Sequence, residues 1–164
     1  MKIYIASSWK NAIQPMVVGA LRKAGHEVYD FRHPALGNYG FKWSEIDSDW
    51  QKWNNKQYKA ALNHDIAQAG YDSDFAAMQW ADAFVGVMPF GRSASMEMGW
   101  AAGNKKLTIF YLIEHMEPEL MVKMFDHICC SMDEVIEALK EAEFPKLSTS
   151  SHPIIPRDIA QVTK

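Results

Sequence analysis

The chain has 164 residues, 48% of them apolar and 23% charged, with a formal net charge of −3. That length fits one domain with a real core, and the composition excludes disorder, a collagen-like repeat and a disulfide mini-scaffold. The mildly acidic balance argues against a nucleic-acid polymer as partner, which needs clustered Lys and Arg.

Residues 2–6 read as a short buried strand, without the apolar run of a signal peptide. After the polar turn Ser7-Ser8-Trp9-Lys10-Asn11, the residues Ile13, Val17, Ala20, Leu21 and Ala24 recur at helical spacing. Gly25 falls at a left-handed cap position. Residues 26–31 are the second predicted strand, and such a β-α-β opening favours a parallel sheet. Residues 31–58 then form a turn-rich insertion. Beyond it a helix is predicted over 57–68, stopped by Gly70, and another capped by Asp72-Ser73-Asp74 and running to Trp80. A third strand over 83–88 ends in the loop Pro89-Phe90-Gly91-Arg92, and Ser93 opens a small-residue helix. A strand over 107–112, a helix over 118–125, a strand over 127–131 and a helix capped by Ser131 or Asp133 complete the pattern.

Five strands alternating with helices predict an α/β fold: a flavodoxin-like, doubly wound parallel five-stranded sheet in the order 2-1-3-4-5. The domain is expected over residues 1–144. Residues 145–164, with Pro145, Pro153 and Pro156, read as an extended tail, disordered or laid across a neighbouring subunit. Cys129 and Cys130 lie in an apolar run and read as buried structural thiols rather than a bridge. No apolar run approaches the ~18 residues of a membrane span. A cytoplasmic protein that avoids membranes is expected.

In an open α/β sheet, ligands bind beyond the carboxyl ends of the strands at the switch point. That rule selects two loops: Ser7–Asn11 after strand 1, with Ser7, Ser8 and Trp9 as candidate binding residues, and Pro89–Ser95 after strand 3. Each leads into a helix N-terminus, whose free amides and partial positive charge suit an anion. Gly91, Arg92, Ser93 and Ser95 can cradle a phosphate; alternatively Ser93 is only an N-cap. Glu97 follows Ser93 by four residues and shares its helix face. There the helix dipole favours an ionised carboxylate, as a nucleophile requires, although a solvated surface glutamate has the same spacing. Asp74 is a second carboxylate, either a helix cap or a proton donor paired with Glu97.

The aromatic content is the outlying feature: 6 Trp, 6 Tyr and 8 Phe. Residues 31–58 hold seven of these rings, among them Phe41 and Trp43. Such an insertion is a lid that stacks on a flat ligand, or else a satellite core or subunit interface. Glu45, Asp47 and Asp49 within it either read base edges or keep the loop soluble. The six histidines are dispersed, and neither a Walker lysine loop nor Gly-x-Gly-x-x-Gly is present. Metal and cofactor chemistry are therefore not expected.

Three stretches carry a resemblance: Lys2-Ile3-Tyr4-Ile5-Ala6-Ser7, Asp74 with Ala81-Asp82, and Gly91-Arg92-Ser93-Ala94-Ser95-Met96-Glu97-Met98-Gly99-Trp100-Ala101. Over roughly residues 2–112 the chain resembles the nucleoside 2-deoxyribosyltransferases and the related 2′-deoxynucleoside 5′-monophosphate N-glycosidases. The resemblance implies that Glu97 attacks C1′ of the sugar and that Asp74 assists at the base. It also implies that Ser7, Ser93 and Ser95 hold the sugar or its phosphate. A small nucleoside or nucleotide is the implied partner, in a homo-oligomer. Where the transferases place an aspartate before the glutamate, this chain has Gly91-Arg92-Ser93, which leans toward a 5′-phosphate. The C-terminal tail offers only Gln161 where those enzymes borrow an amide from a neighbour, so hydrolysis and base transfer both stay open. The chain is also similar to Toll/interleukin-1 receptor-like domains that cleave NAD. A non-catalytic nucleotide sensor would use the same loops.

Overall fold

The computed structural model describes residues 1–89, 91–114 and 117–144. The expected tail over 145–164, together with Phe90 and His115, lies outside the described residues.

Five strands, β1 (Lys2–Ala6), β2 (Glu27–Tyr29), β3 (Ala83–Val87), β4 (Leu107–Tyr111) and β5 (His127–Cys129), alternate with helices α1 (Gln14–Lys23), α2 (Asn55–Ala61), α3 (Asp65–Trp80), α4 (Arg92–Gly103) and α5 (Met132–Glu143). The sheet is parallel throughout and ordered β2-β1-β3-β4-β5, as the strand and helix alternation predicts.

Side chains alternate across each strand, so one sheet carries two cores. Ile3, Ile5, Val85, Val87 and Ile109 pack against Val17 and Leu21 of α1 and Val135 and Leu139 of α5. On the opposite face Tyr4, Ala6 and Phe84 meet Ala77 and Met78 of α3 and Ala94, Met98 and Ala101 of α4. The alanines let α4 sit close on the sheet. Both candidate carboxylates, Asp74 and Glu97, ride on the two helices of this second face.

Several expectations are corrected. Gly70 does not stop a helix, and Asp72-Ser73-Asp74 does not start one. The break falls earlier, where His64 caps α3 by accepting a hydrogen bond from the Ile66 N–H at 3.2 Å. Gly70 serves a different need: a Cβ there would lie 2.8 Å from Cβ of Phe41. The glycine lets the insertion rest on α3. Asp74 is therefore an interior residue of α3. Gly91, in extended backbone, holds the N-cap of α4, so the helix opens at Arg92 rather than Ser93 and Glu97 stands in its second turn. Residues Leu120–Met124 form a 3-10 turn instead of an α-helix. Cys129 is buried as expected, but Cys130 is exposed.

The insertion is built from its own rings. Trp43 meets Phe41, Trp53 and Tyr58 edge-on, with centroids 4.7, 5.7 and 5.8 Å away. The indole N–H of Trp53 donates to Asp47 at 2.6 Å. Edge-to-face packing of this kind is a small core in its own right. Trp43 is spent on that core, whereas Phe41 also reaches α3.

Candidate active site

The two loops selected by the switch-point rule are tied together. Asn11, only 3% exposed, donates from its amide to the Val87 carbonyl at 3.1 Å, the Met88 carbonyl at 3.0 Å and the Ser7 hydroxyl at 3.0 Å. Its carbonyl oxygen accepts from the Ile13 N–H at 2.9 Å. Ser7 in turn donates to the Val87 carbonyl at 2.9 Å. From the insertion side, the Arg32 guanidinium donates to the carbonyls of Ser8, Trp9 and Asn11 at 2.9, 3.0 and 2.8 Å. Each carbonyl is thereby satisfied by a fixed donor, which sets the loop without regular secondary structure. Trp9 packs edge-on against Phe31, with centroids 5.3 Å apart.

Of the expected anion-holding hydroxyls, three are engaged locally. Ser7 is bonded as above, Ser8 accepts from the Lys10 N–H at 3.1 Å, and Ser95 donates to the Gly91 carbonyl at 3.2 Å. Ser93 and Arg92 are exposed beside Gly91 at the start of α4. Among the described residues no side-chain hydrogen bond caps that helix.

The carboxylates are held from the sheet. Tyr4 and Tyr29 are register partners on β1 and β2, and their rings stack with centroids 5.4 Å apart. The Tyr29 hydroxyl donates to Asp74 at 2.8 Å and lies 3.1 Å from the Ser73 hydroxyl. The Tyr4 hydroxyl is an electrostatic neighbour of Glu97. A buried phenol needs a partner for its O–H, and Tyr29 finds its partner in Asp74.

Burial and mutual repulsion set the protonation of the pair. Desolvation first, and the neighbouring Asp74 charge second, push Glu97 up to about 7, against a smaller pull downward from Tyr4. Desolvation also raises Asp74, which Tyr29 opposes. Both tyrosines are pushed up by burial and stay protonated donors. The expectation that the helix dipole keeps Glu97 ionised is thus corrected. In the second turn the dipole is weak, and desolvation outweighs it. Burial and the Asp74 charge thus favour the protonated form of Glu97.

Asp74 and Ser73 also line a cavity of about 230 Å³ whose far walls are Phe31, Phe41, Asn38 and Glu45 of the insertion. A larger groove of about 610 Å³ follows the outer edge of β2 and shares Ser73. The structure thus places Asp74 and Phe41 on one cavity, with Glu97 beside Asp74 but not among the lining residues. Sequence reasoning assigned no role to Tyr4, Tyr29, Asn11 or Arg32. The available signal was Tyr4, a phenol inside a mostly aliphatic strand, two residues before its end.

No protein-family profile matches the chain, and no curated protein matches it. Among solved structures, the CMP N-glycosidase of Clostridium botulinum aligns at 17% identity and a TM-score of 0.46, over 85% of this chain and 99% of that one. A 2-deoxyribosyltransferase from the psychrotolerant bacterium Bacillus psychrosaccharolyticus aligns at 18% identity over 83% of this chain and 90% of that one. With a TM-score of 0.56, the chain shares the α/β fold of that deoxyribosyltransferase.

Proposed function

We propose that this chain is an enzyme that breaks the N-glycosidic bond of a nucleoside or nucleotide, with Glu97 as nucleophile and Asp74 serving the departing base. The observation that carries this reading is the carboxylate pair. Two half-buried acids on neighbouring helices both have their protonated forms favoured by burial, and one of them, Asp74, accepts a hydrogen bond from a sheet tyrosine. Pairs of carboxylates whose environments perturb them in this way suit glycosidic chemistry. The motif resemblance around Glu97 and the shared fold support the same assignment.

In the productive state Asp74 carries a proton and Glu97 is ionised. A Glu97 oxygen attacks C1′ as the C1′–N bond breaks, and its electron pair leaves with the base. Asp74 delivers the proton to the base. A water molecule, or a second base, then attacks C1′ and releases Glu97, returning a proton to Asp74. Tyr29 orients Asp74 throughout. Arg92, Ser93 and the free amides at the start of α4 would hold a 5′-phosphate, which favours nucleotides.

The test is incubation of the protein and of Glu97→Ala with deoxynucleosides, deoxynucleotides and NAD, followed by chromatography of released bases. Base release by the wild type and its loss in the variant, with the circular dichroism spectrum unchanged, is the expected result. Undiminished release by Glu97→Ala overturns the mechanism. Tight calorimetric binding without turnover of any compound would instead identify a sensor.

A further inference from the structure

Three carboxylates of the insertion stand close in sequence, and the structure separates their fates. Asp47 accepts from the Trp53 indole at 2.6 Å and from the Asp49 N–H at 2.8 Å, which holds its carboxyl below the usual range. Asp49 pairs with Lys52 at 2.8 Å. Glu45 is different. Among the described residues no hydrogen bond or ion pair reaches its side chain, and it lines the same cavity as Asp74.

Asn38 lines that cavity too. Its carbonyl oxygen accepts from the Gly40 N–H at 2.9 Å, which leaves the amide N–H₂ as a donor. The remaining walls include the rings of Phe31 and Phe41. The cavity therefore combines flat apolar walls, one unspent carboxylate acceptor, one unspent amide donor, and Asp74. A carboxylate accepts from an amino group and repels a carbonyl oxygen. An amide N–H₂ donates to a ring nitrogen that carries no proton.

Resting on the reading of Glu97 and Asp74 above, we infer that this cavity takes the nucleobase and that Glu45 selects bases presenting an amino group beside a ring-nitrogen acceptor. Cytosine and adenine share that edge. Uracil and hypoxanthine place a carbonyl oxygen where the amine would be and an N–H where the acceptor would be, so both contacts are inverted. Glu45 is a specificity-determining residue that acts on binding, apart from the bond-breaking pair.

Binding is measured by calorimetry in the Glu97→Ala background, where turnover is blocked, with dCMP against dUMP and dAMP against dIMP. The amino member of each pair is expected to bind at least about tenfold more tightly, the scale of one hydrogen bond to a charged group. Adding Glu45→Gln, whose amide can turn to donate or accept, is expected to reduce the preference to within about threefold; Glu45→Ala is the second variant. If each pair binds equally, if the preference survives both Glu45 variants, or if no nucleotide binds, the inference is overturned. Wild-type turnover separates it from the glycosidase reading. A retained amino preference without base release sinks that reading alone. Base release indifferent to the amine and to Glu45 sinks this inference alone.

Discussion

Tyr4 and Tyr29 stand opposite each other on β1 and β2, with their rings 14° from parallel; the Tyr29 hydroxyl donates to Asp74 at 2.8 Å, and Tyr4 lies in the field of Glu97. The acids sit on separate helices, but their phenol neighbours come from adjacent strands of one sheet. Tyr4 is only 1% exposed and also stacks on Phe84 at 5.0 Å. The sheet therefore fixes where Asp74 points, and burial perturbs both acids.

This arrangement predicts opposite shifts in the pH profile. The proposed reaction requires Glu97 ionised and Asp74 protonated, one proton on the pair, so kcat/KM should be bell-shaped, with loss of that proton near 7 setting the alkaline limb. Asp74→Asn removes the repelling charge, and the ionisation of Glu97 seen in its residual activity should move to lower pH. Burial remains, so the return is partial. Tyr4→Phe removes a neighbouring hydroxyl that favours the ionised form of Glu97, and the limb should move up. Profiles of kcat/KM for the two variants that shift in the same direction would contradict this account.

Glu97 should also cost the protein stability. Its pKa rises from 4.5 to about 7 on folding, so the folded state binds the extra proton between those values. The stability that proton contributes is fully present below the unfolded value and is lost as pH rises through about 7. By linkage the loss is roughly 3 kcal/mol at most. Glu97→Gln carries no such charge, and at pH 8 it should be more stable than the wild type by about 1–3 kcal/mol. Urea unfolding at pH 5 and pH 8 measures this, and the gain should shrink at the lower pH.

Asn11 joins the loop after β1 to the end of β3. Asn11→Ala should destabilise by about 2–3 kcal/mol, because it leaves the Val87 and Met88 carbonyls without that donor. Asn11→Asp should not rescue, since a carboxylate cannot donate. Thermal melts of the two variants provide the comparison.

At Gly70 a methyl group has nowhere to go. Gly70→Ala would place its Cβ 2.8 Å from Cβ of Phe41, so the insertion must lift from α3. A loss of about 1–3 kcal/mol is expected, despite the better helix propensity of alanine. Gly70→Ala paired with Phe41→Ala should recover part of the loss, and a double-mutant cycle tests it.

The sequence alone determined the parallel sheet and its order, the two loops at the switch point, and the helix that carries Glu97. Those features rest on local signals: alternation within a strand, spacing within a helix, and the handedness of β-α-β units. Tertiary structure decided the rest. Gly70 reads as a helix stop until Phe41, 29 residues earlier in the chain, is seen resting on it. Glu45, Asp47 and Asp49 are equivalent acids until Trp53 and Lys52 take two of them. Tyr29 and Asp74 are 45 residues apart, so no spacing rule links them. Glu97 could be placed from sequence, but its ionisation could not. Desolvation and the field of Asp74 depend on packing between helices, and that packing exists only in the folded chain.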